Sequence, residues 1–115
     1  MRVAVVGSPK FDEVLYLREE LDKMLRKDPD MIIGTSDDPG ACKAAISWAA
    51  KRGVIVHLYK AEDSNGPLLM SRMRDQKIVM GTQRVVYFMH EGQSKNDIEF
   101  PTNFAKGMGR PVEFL

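Results

Sequence analysis

Four short runs rich in β-branched residues, at 2–6 (RVAVV), 31–33 (MII), 54–59 (VIVHLY) and 84–90 (RVVYFMH), are separated by stretches with helical spacing. No other feature restricts the possible folds as strongly. Apolar runs of this length suit strands buried on both faces, and strands that alternate with helices build a parallel sheet covered on both sides. Between the first two runs, Val14, Leu17, Leu21, Met24 and Leu25 fall on one helical face, so residues 12–27 are expected as a helix, stopped by Asp28-Pro29-Asp30. A second helix is expected from about Pro39 to Arg52, with Ala41, Ala44, Ala45, Trp48 and Ala49 as its close-packing face and Gly53 at its end. Residues 60–66 read as a turn, after which Pro67 opens a third helix reaching about Met80. Pro101 suits the start of a short last helix, 101–107, and residues 112–115 form a fifth strand, short and alternating as an edge strand is.

The order β-α-β-α-β-α-β-α-β and the right-handed crossover rule favour a single Rossmann-like three-layer α/β/α domain over residues 1–115, with a five-stranded parallel sheet in the order 3-2-1-4-5. There are no repeats, linkers or low-complexity segments. In that order the progression of strands across the sheet reverses between strands 1 and 4. Ligands of open α/β sheets bind outside the carboxyl ends of the strands at such a point.

The reversal names the loops to inspect: Gly7-Ser8-Pro9-Lys10-Phe11, Gly34-Thr35-Ser36-Asp37-Asp38-Pro39-Gly40, and Glu91-Gly92-Gln93-Ser94-Lys95-Asn96. Each mixes glycine with hydroxyl or amide side chains, which lets a ligand approach the backbone and the free N–H groups of a helix start. Neither GxGxxG nor GxxxxGK[ST] is present. Asp37 and Asp38 would repel phosphate. The preferred reading is that Asp38 caps the second helix with Pro39 at its first position; the alternative is that the carboxylates hold ribose hydroxyls or a divalent metal. His90 and Glu91, at the end of strand 4, are weak candidates for acid–base work. His57, inside strand 3, reads as a packed or edge-facing residue. Cys42 lies in the first turn of helix 2 with no base partner in view and reads as a packing residue. Arg72 and Arg74 point different ways on a helix, so one is solvated. Met70, Met73 and Met80 form a soft apolar face suited either to the core or to a second subunit, and a homodimer or higher homo-oligomer is one expectation.

Composition narrows the function. The net charge of the 115 residues is +1, so nucleic acid is not an expected partner. No run approaches the roughly 18–20 apolar residues of a membrane span, and the N-terminus reads as a buried strand rather than a signal peptide. One cysteine allows no internal disulfide and no structural zinc site by itself. A cytoplasmic protein without a metal or resident cofactor is expected.

Several segments carry a family resemblance. VVGSPKF resembles the V-x-G-S-R-x-F start of the YspA-type proteins of the SLOG superfamily, the Rossmann-like group that includes the Lonely-Guy enzymes and DprA. GACKAAISWAAKRGVIVHLYKA is similar to that family's second helix and third strand, GPLLMSRMRDQKIV to its G-P…R-N-Q-x-M segment, and VVYFMHEG to the strand before its glycine-rich loop. The resemblance implies binding of a nucleotide or nucleotide-derived molecule, with Gly7, Ser8, Gly34, Thr35, Gly40, Arg74, Gln76 and Gly92 carried over by position. Pro9, Lys10, Ser36, Glu91 and Ser94 join them from the loops themselves. The departures are equally plain. The arginine of the family's G-G-x-R-G-A-D is missing between Gly34 and Cys42, and EGQSKND stands where many members have P-G-G-x-G-T. Phosphoribohydrolase chemistry is therefore not implied. The expected function is binding or sensing of a nucleotide-like molecule; the alternatives are a hydrolase or transferase acting on such a molecule, or an interaction domain with a degenerate site.

Overall fold

The computed structural model describes residues 1–61 and 67–115, and side chains for all of these except 67–70. The chain runs β1 (Arg2–Gly7), α1 (Val14–Lys27), β2 (Ile32–Ser36), α2 (Ala41–Arg52), β3 (Val56–Tyr59), α3 (Pro67–Met80), β4 (Arg84–Phe88), α4 (Thr102–Gly107) and β5 (Val112–Phe114), with a short 3-10 turn at Lys95–Asp97. The five strands form one parallel sheet in the order β3-β2-β1-β4-β5. This is the Rossmann-like topology expected from the sequence. The turn expected at 60–66 falls mainly outside the described residues, as does the Met70 side chain.

Strand alternation divides the core in two. Val3 and Val5 of β1 and Val86 and Phe88 of β4 pack beneath α1 and α2 with Leu17, Leu21, Ala45 and Trp48. Ala4, Val6, Val85 and Tyr87 face the other way, against Ile78 and Val79 of α3 and Ala105 of α4. The small residues of α2 let it lie close to the sheet, as their pattern predicts. α1 and α2 are also tied by a polar contact: Trp48 Nε1 donates to Asp22 Oδ1 (2.9 Å), and Arg52 donates to both Asp22 oxygens (2.8 and 3.0 Å). Met73 and Met80 are exposed, and no helix among the described residues is long and apolar enough to cross a membrane.

One local expectation is overturned. α2 begins at Ala41, not Pro39, and its N-cap is Gly40, which offers no side-chain bond. Gly40 adopts φ +80, and a Cβ there would collide with the carbonyl oxygens of Ser8 and Pro9. The chain is thus turned sharply against the β1 loop before the helix starts, and Ala41 N–H donates to Ser8 O (3.3 Å). Asp38 lies outside the helix, where it cannot cap, and its carboxylate is paired with Arg74.

Candidate functional site

β1, β2 and β4 end side by side, and the segments that follow them enclose a cavity of about 590 Å3. That volume is in the range of small-molecule sites, roughly 300–1,000 Å3. At its base, β1 and β4 approach so closely at Gly7 that a Cβ there would sit 2.5 Å from Phe88 O and 2.6 Å from Ala41 Cβ. Only glycine fits.

Ser8 follows, 1% exposed and held on every side. Its N–H donates to Phe88 O (3.0 Å), and its carbonyl accepts from Phe11 N–H (3.1 Å) as well as Ala41 N–H. Its Oγ lies 2.5 Å from His90 Nδ1 and accepts the backbone N–H of Lys10 (3.1 Å). His90 is fixed in turn: its N–H donates to Gln93 Oε1 (3.2 Å), and Gln93 N–H returns to His90 O (3.0 Å). Gln93 Nε2 reaches Tyr87 Oη (3.3 Å), on a side chain whose burial pushes its phenol up from the ordinary range. A buried serine bonded to an imidazole at a cavity wall is the arrangement from which an imidazole can take the hydroxyl proton.

α3 supplies the opposite wall. Arg74 is 7% exposed and its guanidinium is nearly saturated. NH1 and NH2 form a fork on the two Asp38 oxygens (3.0 and 2.8 Å), while Nε and NH2 donate to Asp75 Oδ1 (3.0 Å each). Burial works against the Arg74 charge, but the two carboxylates outweigh it and raise its pKa. Burial dominates at Asp75, pushing its carboxyl up despite the arginine beside it. The two directions are compatible because Asp38 supplies Arg74 with a second, more exposed acid.

Of the residues singled out from sequence, Gly7, Ser8, Pro9, Lys10, Ser36, Arg74 and His90 line this cavity, as do Asp38, Pro39 and Cys42. The others do not. Gly34 packs on Thr82 and Tyr59, and Thr35 Oγ1 donates to Val5 O (2.6 Å) inside the sheet. Gly40 lies behind the β1 turn, and Gln76, Glu91, Gly92 and Ser94 are exposed away from the wall. Ser94 instead caps the 3-10 turn by accepting Asn96 N–H (3.2 Å). His57 is half-buried in the β3 edge and Arg72 is exposed. Cys42, buried and packed with Ala4 and Val6, borders the cavity. Sequence reasoning missed Asp75, Tyr87, Asp97, Glu99 and Phe100 as lining residues, and named Gln93 only as part of the loop after strand 4. Asp75 was the most accessible of these, as the neighbour of an arginine already in view. Asp97, Glu99 and Phe100 arrive through a turn whose path no local pattern marks.

The family model described as the YspA, cpYpsA-related SLOG family matches residues 1–66. The match covers β1 to β3 and the two glycine turns, and so includes Gly7, Ser8, Ser36 and Asp38 of the cavity. No curated protein and no solved structure gives a significant match.

Proposed function

Because this chain belongs to the YspA, cpYpsA-related SLOG family, we propose that it binds a nucleotide-derived small molecule in the cavity over the carboxyl ends of β1, β2 and β4. The observation that carries this reading is the position of the cavity: about 590 Å3 at the point where the strand order reverses between β1 and β4, floored by a glycine that admits no side chain. Ser8, Ser36 and His90 supply directional polar groups, and Tyr87 and Phe100 supply aromatic surface. A thermal-shift screen of nucleosides, nucleotides, NAD derivatives, ADP-ribose and cyclic nucleotides tests it. A ligand at 100 times its Kd stabilises the fold by about 2.7 kcal/mol, a shift of roughly 10 °C in a domain of this size. Silence across the panel would refute nucleotide recognition.

A second reading, turnover of the bound molecule, is favoured by the Ser8–His90 contact, since an imidazole 2.5 Å from a hydroxyl is placed to act as its base. Incubation with each stabilising ligand, followed by mass spectrometry, separates the two. Product formed by the wild type and not by Ser8→Ala supports turnover, and unchanged ligand leaves binding alone.

A further inference from the structure

The charges around the cavity select among nucleotide-derived ligands. The cavity has two permanently cationic side chains among its described lining residues, Lys10 and Arg74, against the carboxylates of Asp38, Asp75, Asp97 and Glu99. Residues 62–70 contain no lysine, arginine or histidine, so they add no cation to this count. Arg74, the buried one of the two, already directs four N–H groups at Asp38 and Asp75. An incoming phosphate would have to displace a forked carboxylate pair and leave it unpaired beside the new anion. Even with Asp75 protonated the acids outnumber the cations.

One donor at the start of α2 is already committed. The helix's first N–H, of Ala41, is given to Ser8 O, and Gly40 is wedged against the carbonyls of the β1 turn. Carboxylates in this position instead suit hydroxyl and amine donors, which a ribose diol and an exocyclic base amine provide.

We propose that the site takes an unphosphorylated nucleoside in preference to a nucleotide, with Asp38 serving as the internal anion that occupies Arg74. The proposal rests on nucleotide-type recognition at this cavity and adds the ligand's charge state.

Calorimetric titration at low ionic strength with the four common ribonucleosides and their 5′-monophosphates tests it. At least one nucleoside should bind about tenfold more tightly than its own monophosphate, and the gap should narrow in high salt because the difference is Coulombic. Asp97 and Glu99 are exposed, so the double variant Asp97→Asn, Glu99→Gln should keep the fold and reduce the ratio several-fold in favour of the monophosphate. If every monophosphate that binds does so as tightly as its nucleoside, or if the ratio is indifferent to the double variant, the charge assignment is overturned while nucleotide recognition stands. If neither series binds, the nucleoside preference is wrong, and the wider thermal-shift panel decides nucleotide recognition itself.

Discussion

Ser8 Oγ and His90 Nδ1 lie 2.5 Å apart although 82 residues separate them in the chain. The contact joins the loop after β1 to the loop after β4, across the point where the strand order reverses. It ties the two loops together at the cavity wall. Ser8→Ala removes an oxygen that partners His90 and the Lys10 N–H, leaving two polar groups without a mate. We expect a loss of about 2 kcal/mol, read as a lower urea midpoint with an unchanged slope. Any nucleoside or nucleotide that raises the wild-type Tm should lose its effect on this variant. A full ligand response from Ser8→Ala would move the binding site elsewhere.

Gly7→Ala tests the cavity floor. The added methyl would meet Phe88 O and Ala41 Cβ, one a strand backbone and the other the close face of α2. Neither yields as a flexible side chain would, so β1, β4 or α2 must shift. Overpacking of this kind costs about 2–3 kcal/mol. Chemical denaturation measures it, and a cost below about 0.5 kcal/mol would mean that the close approach is looser than described.

Arg74 offers a test of geometry rather than charge. Lysine keeps the charge but cannot form the fork on Asp38 while also reaching Asp75. Arg74→Lys should therefore cost on the order of 1–2 kcal/mol, and Arg74→Leu about 3 kcal/mol because it strands the partly buried Asp75 and half-exposed Asp38 carboxylates. Urea unfolding of both variants checks the ranking. Equal stability of wild type and Arg74→Lys would show that a point charge suffices.

How much of this was readable in the sequence follows the range of the interactions involved. Strand order was legible because hydrophobic runs, helical spacing and crossover handedness are local or universal. α3 shows this well: Pro67 and Gly81 frame it as their backbone preferences predict. Asp38 shows the limit. Asp-Pro before an alanine-rich stretch is a sound cap signal, yet a guanidinium 36 residues later took the carboxylate and the turn at Gly40 delayed the helix. The same limit hid the far wall of the site. Tyr87 belongs to a strand read simply as buried, and its tie to Gln93 depends on how the following loop folds back. Glu91 and Gly92 stood out by type, but the neighbouring turn carries them into solvent.

Away from the site, Asp22 should govern part of the acid sensitivity. Hydrogen bonds from Arg52 and Trp48 hold its carboxyl far below the ordinary value of 3.8. With a folded pKa below the unfolded one, the group contributes stability that is complete above about pH 4 and is lost as pH falls through the folded value. Asp75 acts in the opposite sense. Its burial raises the folded pKa, so its contribution is complete in acid and declines as pH rises above 3.8. Asp22→Asn keeps an acceptor for Trp48 but discards the charge that holds Arg52. The variant should be less stable than wild type at neutral pH, and the difference should shrink as pH is lowered below 4. Urea midpoints measured from pH 7 down to pH 2.5 provide the comparison. A gap that stays constant over that interval would show that Asp22 serves through packing and neutral hydrogen bonding, not through its charge.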